Sequence, residues 1–442
     1  MHSELAPTGI LGLNILNYVW HWPTISLLHS SIFPKRNERD RGRKILLRVI
    51  LYAGKGGVGK TCVAGATGII SARRGLKTLV MSLDPAHSLS DAFDLDLSLM
   101  DKNRGQPIEV GQGLWIQELD VHEEIGNYWG EVHRYITLLL NTSGIDDVLA
   151  EELAVFPGME ELSALLYINK YVNEKRYDLI ILDCAPTAES IRFISMPTAL
   201  EWYMKKIFRL ERRIFGVVRP VARRMVDIPL PEDQYFANIE SLYTRLKGVD
   251  KLLTDPGVTS VRLVSNPEKM VLRETQRAFM FFSLHQTSID AIIINRIFPS
   301  PVDDSYSKIW GRDQQKYMEL AQTFFYPLPI FKAPLYDSEI LGYEKLLTFG
   351  ENLYREEDPT QIFFKQKPYQ FARIGGQSVV KLHLPFVTKK EIDLRKIGDE
   401  LIIKIGNFKK NIVLPRAYAV LEPSRARLEE DHLVIEFGGS IE

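Results

Sequence analysis

The chain has 442 residues, with 55 Lys plus Arg against 56 Asp plus Glu, 45% hydrophobic and 25% charged residues, and a formal net charge of −1. That length leaves room for roughly two or three domains, and the charge balance gives no support to a general nucleic-acid binder, although local basic patches stay open. Only Cys62 and Cys184 are present, which excludes a disulfide framework or a CxxC metal site and fits a reducing compartment; no apolar run reaches the ~18 residues of a spanning helix.

In chain order, residues 1–36 are acid-poor, aromatic and almost uncharged until Lys35. They read either as part of an organellar targeting segment, although the expected arginines are missing, or as a poorly ordered extension. The apolar stretch from Ile10 to Trp20 is broken by Asn14 and Asn17 and lacks a basic start, which argues against a signal peptide. "NERDRGRK" (37–44) is a polar linker, and residues 1–42 are set apart as an extension. "ILLRVILYA" (45–53) is an apolar strand running into a glycine loop, and "CVAGATGIISARRG" is a helix of small residues ending at Gly75. Strands follow at 77–84 and 113–120, a mostly helical region at 121–176, and a helix beginning near Met159 after Pro157-Gly158. Further buried strands are expected at 177–183, 258–267 and 289–295. Apolar strands alternating with helices predict a parallel sheet covered on both faces. Near residue 368 the pattern changes to short runs with turns between them, a small all-β domain. The predicted fold is therefore α/β, a P-loop NTPase with a mostly parallel sheet and helical insertions (43–360), a connector at 355–368, and a C-terminal β-sandwich (369–442).

The chemistry concentrates in "YAGKGGVGKT" (52–61). Strand, glycine loop, Lys-Thr and helix come in the order of G-x-x-x-x-G-K-[ST]. Gly54, Gly56, Gly57 and Gly59, with Val58 among them, let backbone N–H groups face phosphate oxygens. Lys60 is placed to reach the β- and γ-phosphates and Thr61 to ligate Mg²⁺, so ATP and Mg²⁺ are the expected ligands. Lys55 is a second lysine inside the glycine turn, either solvated or aimed at triphosphate charge. Asp84 follows the strand 77–84, where it can orient an attacking water or cap a short helix. Asp183 ends four apolar residues and delivers a carboxylate toward Mg²⁺, directly or through water. Thr61, Asp84 and Asp183 are thus the candidate metal-site residues.

"KGGVGKT" resembles the deviant Walker A loop of the dimeric ATPases that include division-site, partition, nitrogenase-iron-protein and arsenite-pump proteins. That resemblance implies a homodimer in which Lys55 reaches across to the partner's nucleotide. "DPAHSLSDAF" (84–93) is similar to switch I of the arsenite-pump and tail-anchored-protein-targeting branch, which implies that Asp84 positions the hydrolytic water. "APT" (185–187) resembles that branch's switch II, although Ala188-Glu189-Ser190 stands where Gly-His-Thr is common. By the same resemblance Asn295 contacts adenine, "APLYDSEILG" (333–342, with Pro334 and Leu335) closes over the base, Cys62 lines the nucleotide site, and Glu268 in "NPEKM" contacts nucleotide. The likeness spans roughly residues 45 to 355. The C-terminal strands resemble the α-crystallin or small-heat-shock fold, and an ATPase of this branch with such a tail is similar to a plastid and cyanobacterial-type variant. Cytoplasm or plastid stroma is the compartment this implies.

Three roles stay open. The first is handling or targeting of hydrophobic segments of membrane proteins, with only transient membrane contact. The second is energising an oxyanion pump, and the third is a division-type membrane positioning switch. The pump needs close thiolates, and here both cysteines sit inside nucleotide motifs. The same count leaves no ligands for an iron–sulfur cluster or a zinc clasp. A positioning switch needs a terminal amphipathic helix, and this terminus is β-rich. In "LEWYMKKIFRLERRIFGVVRPV" (200–221) an apolar stripe of Leu200, Tyr203, Ile207, Leu210, Ile214, Val217 and Val221 runs at helical spacing. Met204, Phe208, Phe215 and Val218 widen it, and Lys205, Lys206, Arg209, Arg212 and Arg213 lie opposite. It is either a client groove, as in the targeting branch, or a face packed on its own subunit.

Overall fold

The computed structural model describes residues 47–84, 88–96, 105–119, 158–208, 233–299 and 305–440, with a few isolated positions between 103 and 141. The extension 1–42, most of the region 121–157 and the basic end of the 200–221 stripe lie outside the described residues. An eight-stranded sheet runs in the order β3-β4-β2-β5-β1-β6-β7-β8. Its strands are β1 (Arg48–Ala53), β2 (Thr78–Ser82), β3 (Ile108–Gly111), β4 (Leu114–Glu118), β5 (Leu179–Asp183), β6 (Thr259–Ser265), β7 (Ile289–Ile297) and β8 (Ile330–Pro334). All neighbours are parallel except β3, which pairs antiparallel with β4.

Central β1 shows why the sheet is covered on both sides. Val49, Leu51 and Ala53 enter one core cluster, while Ile50 and Tyr52 enter the other. A side-chain period of two sends alternate residues to opposite faces, and both faces are apolar because helices cover both. On one face lie α1 (Lys60–Arg73) and, near the chain's later half, the helix Tyr343–Tyr354. The other face carries α3 (Met159–Glu174), the helix Lys269–Leu284 and the helix Ser305–Phe325. Between α1 and α3 lies α2 (Ser88–Ala92), and after α3 comes α4 (Thr187–Tyr203), continued by a π-helical turn, Met204–Phe208.

Two edge elements differ from the sequence reading. β3 and β8 do not stand out as strands, because β3 is a four-residue edge of mixed polarity and β8 is closed by Pro334. Short, proline-bearing strands belong at sheet edges, where a missing donor faces solvent.

The C-terminal strands are β9 (Tyr369–Ile374), β10 (Gln377–His383), β11 (Ile392–Ile397), β12 (Glu400–Ile405), β13 (Phe408–Val413), β14 (Leu421–Glu429) and β15 (His432–Ser440). They form a four-stranded sheet, β14-β15-β10-β9, and a three-stranded sheet, β11-β12-β13. Leu382, Leu401, Ile403, Ile412 and Ile435 share the core between them. The helix Lys269–Leu284, here α5, ends inside this core: Met280 and Leu284 belong to the same cluster. The ring of Phe281 stacks on His285 at 4.1 Å and packs on Phe408 at 5.5 Å. One helix thus belongs to both sheets' cores, and residues 44–442 form one compact unit.

Candidate functional site

The glycine loop leaves the carboxyl end of β1 and enters α1 at Lys60. At Gly54 a Cβ would lie 2.2 Å from the Val264 carbonyl oxygen, so the chain passes too close to β6 for any side chain. Gly59 has φ +92, and a Cβ there would lie 2.4 Å from Asn295 Nδ2. Both positions demand glycine for space, and Gly59 also for its left-handed backbone. The buried Lys60 ammonium donates back to the Lys55 carbonyl at 3.3 Å. The Lys55 side chain is half-buried and has no hydrogen bond or ion pair among the described residues.

Asp183 ends β5, in register with Tyr52 of β1 and Ser82 of β2. It is 1% exposed, and neither carboxylate oxygen has a hydrogen-bond partner. Burial pushes its carboxyl up to about 7, against the opposing pull of Thr61 and Lys60. A bare, buried carboxylate is costly unless something cationic joins it. The donor set therefore suits a divalent cation beside phosphate: Asp183, the Thr61 hydroxyl, and an ammonium at the loop. Asp84 lies two residues beyond β2, its amide donating to Ser82 Oγ at 3.2 Å. The ends of β1, β2 and β5 thus bring the glycine loop, Asp84 and Asp183 together at the carboxyl end of the central strands, where open α/β sheets bind ligands.

Asn295 sits within β7 rather than at its end, because the strand runs on to Ile297. The ladder is irregular there, and Arg296 has φ +58. The buried Asn295 amide donates to the Val58 carbonyl at 2.9 Å, and its Oδ1 accepts from Arg296 N–H at 2.8 Å. Asn295 therefore braces the glycine loop from a neighbouring part of the sheet. The Cys62 thiol faces the Ile340 carbonyl at 4.0 Å, which sets the 335–342 loop against the start of α1. Pro334 and Leu335 are exposed, and Leu335 N–H donates to the Ile297 carbonyl at 2.8 Å. Glu268 is exposed at the start of α5.

The profile of the anion-transporting ATPase family matches residues 47–355, and that of the HSP20-like domain found in ArsA matches residues 375–437. The chain belongs to the anion-transporting ATPase family. It is 48% identical over 393 residues to a candidate arsenical pump-driving ATPase of Aquifex aeolicus, covering 88% of this chain and 99% of that one. A candidate arsenical pump-driving ATPase of Chlorobaculum tepidum is 34% identical, covering 88% of this chain and 96% of its own length. The ATPase GET3 of Podospora anserina is 28% identical, covering 70% of this chain and 91% of its own length. An ATPase, with the nucleotide binding that this entails, is what the family assigns.

Three contacts escaped the sequence reading. Thr187 Oγ1, opening α4, donates to Glu274 Oε1 of α5 at 3.0 Å. The Thr61 and Ser88 hydroxyls lie 3.2 Å apart. Glu118, closing β4, accepts from Leu89 N–H and Ser90 N–H of α2. Motif strings carry no signal for any of them, since each joins elements distant in sequence. No helix among the described residues is long and apolar enough to cross a membrane.

Proposed function

We propose that the chain is a Mg²⁺-dependent ATPase acting as a homodimer, which couples ATP binding and hydrolysis to the handling of hydrophobic segments of membrane proteins. The observation that carries the chemical part is the buried Asp183 carboxylate with both oxygens bare, beside Thr61 and Lys60. The loop from Gly54 to Thr61 cradles the phosphates, and Lys60 leaves the Lys55 carbonyl for the β- and γ-oxygens. Thr61 and Asp183 hold the metal, Asp183 directly or through water, and Asp84 orients the attacking water. A bound Mg²⁺ supplies charge neutralisation on the triphosphate. Lys55, at the apex of the loop, serves the partner subunit's nucleotide, as an arginine finger does elsewhere. Asn295, the 335–342 loop, Cys62 and Glu268 form the side toward the base.

Support for the client role is of two kinds. Relatives carry the name GET3, including ATPase GET3A of Arabidopsis thaliana at 27% identity. In the described part of the 200–221 stripe, Met204 and Phe208 are already packed on Phe236 of the same chain, so the second support is Trp202 beside them, which stays 42% exposed. The pump reading is favoured by the names of the Aquifex and Chlorobaculum relatives. Gripping a metalloid requires thiolates, and burial raises the thiol pKa of both Cys62 and Cys184. That weighs for the client role.

Asp84→Asn tests the chemistry. The variant is expected to bind ATP normally and to hydrolyse it ~10²–10⁴-fold more slowly; wild-type turnover removes Asp84 from the mechanism. Lys55→Ala is expected to lower turnover and ATP-dependent dimer formation together. A fluorescent transmembrane-segment peptide binding to the ATP-loaded Asp84→Asn form supports the client role. Vesicle binding without peptide binding favours the positioning switch.

A further inference from the structure

A threonine hydroxyl has one hydrogen and two lone pairs. To ligate a cation it presents a lone pair, and its hydrogen must be directed to some other acceptor. At Thr61 two acceptors compete: Ser88, whose Oγ lies 3.2 Å from Thr61 Oγ1 with either hydroxyl able to donate, and the Asp183 carboxylate, which a bound cation would occupy. Ser88 opens α2, a helix of five residues, too short to hold its own place by helix propensity.

What holds α2 is Glu118. This side chain is 5% exposed at the carboxyl end of β4, in register with Ser82 of β2. Its Oε1 accepts from Leu89 N–H at 2.9 Å and from Ser90 N–H at 2.8 Å. These are two of the first-turn donors that a helix cannot satisfy internally. A buried carboxylate in turn needs donors of this kind. Asp84 and the turn that begins with Ser88 are thus each tied to the sheet, Asp84 through its amide to Ser82 Oγ and the turn through Glu118.

We infer that Ser88 is a further residue of the metal site: it accepts the Thr61 proton and so aims a Thr61 lone pair into the site, while Glu118 is the positioning residue that holds Ser88 there through the backbone of α2. This rests on Thr61 being a metal ligand, and the test separates the two claims. The readout is the Mg²⁺ concentration that half-saturates the change in fluorescence of a bound ADP analogue, which requires no turnover.

Ser88→Ala is expected to raise that concentration roughly 10-fold or more, the usual size of an outer-shell loss, with ADP affinity in the absence of Mg²⁺ unchanged. Ser88→Thr restores it. Glu118→Ala matches Ser88→Ala, and the double variant is no worse than either, because both act along one path. Glu118→Gln keeps the accepting oxygen and is expected to stay within about 3-fold of wild type, which covers the case where Glu118→Ala does not fold. An unchanged Mg²⁺ dependence in Ser88→Ala, or additive losses in the double variant, overturns the inference while Thr61→Ala still abolishes the Mg²⁺ effect. If Thr61→Ala leaves the Mg²⁺ effect intact, the reading of Thr61 as a ligand fails and this inference fails with it.

Discussion

Two buried aspartates stand at opposite ends of the same sheet. Asp290, second residue of β7, is fully buried at the amino end, and Asp183, last residue of β5, is equally buried at the carboxyl end. Asp290 is surrounded by donors. It pairs with Arg48 at 3.0 Å and with Arg262 at 3.2 Å, and the amide of Phe363 reaches it at 3.4 Å. The two guanidinium groups share one carboxylate and fill their remaining needs with carbonyls and hydroxyls, Val49, Val258, Thr360 and Ser260 Oγ for Arg48 and Gln361 and the Tyr52 hydroxyl for Arg262. Burial draws the Arg48 pKa down to about 10 although Asp290 pulls it up. Neither Asp183 oxygen has a hydrogen-bond partner, and only the nearby Thr61 hydroxyl and Lys60 ammonium pull on its charge. The fold can satisfy a buried carboxylate completely, and at the phosphate end it does not. An unsatisfied buried charge lowers stability, so its presence at the loop marks a place where an incoming cation completes the structure.

The contrast breaks or holds on substitution. Asp290→Ala leaves two buried guanidinium groups without a counter-charge and removes the acceptor of the Phe363 amide. Loss of one partner of a buried pair costs about 3–5 kcal/mol, so a drop in unfolding free energy of that size is expected from urea denaturation, with a smaller one for Asp290→Asn. A change under about 1 kcal/mol on the alanine substitution would show that the arginines are content with neutral acceptors alone.

Asp183→Asn should behave the other way. Removing an unpaired buried charge is expected to leave the nucleotide-free protein as stable as wild type, or more stable, by calorimetry. The same change is expected to reduce ATP turnover by ~10²–10³-fold, the scale of losing one preorganised electrostatic group. If Asp183→Asn unfolded the free protein as Asp290→Ala is expected to, Asp183 would be a structural carboxylate and the comparison would collapse.

What the sequence showed and what it hid follows the same division. The strand, glycine loop and helix at 48–73 were legible because every determinant is local: apolar run, glycines, Lys-Thr. Asp183 was legible because a buried strand ending in a carboxylate is a short string. The Asp290 cluster was hidden, since Arg48 and Asp290 are 242 positions apart and Arg48 reads only as an interruption of an apolar strand. The roles of Glu118 and α5 were hidden for the same reason. Nothing in "RETQRAFMFFSL" says that Met280 and Leu284 enter the core of the C-terminal sheets. The apolar stripe at 200–221 was legible as periodicity, and its described part shows Met204 and Phe208 packed with Phe236.

Lys410 is the intermediate case and sharpens the scale between the two aspartates. It lies on β13, 6% exposed, with its ammonium 3.3 Å from His285 Nδ1 just past the end of α5. One neutral acceptor is less than Asp290 receives and more than Asp183 has. Burial lowers the Lys410 pKa to about 8, and burial together with the Lys410 charge lowers that of His285, so the imidazole stays neutral and accepts. The unfolded chain holds the Lys410 proton up to its ordinary value of 10.5, while the folded chain releases it from about 8. Between those values the unfolded state binds more protons, so this group makes stability rise with pH across the window. Below it the penalty is constant, and a shift of this size corresponds to at most ~3 kcal/mol. Lys410→Met keeps the stem's packing and removes the charge. Urea denaturation is expected to find it equal to wild type or about 1 kcal/mol more stable at pH 7.5, with that advantage shrinking by pH 10 as wild type sheds its proton. A Lys410→Met protein several kcal/mol weaker at pH 7.5 would mean that one imidazole nitrogen, aided by the carbonyl end of α5, satisfies a buried ammonium as fully as two arginines satisfy Asp290.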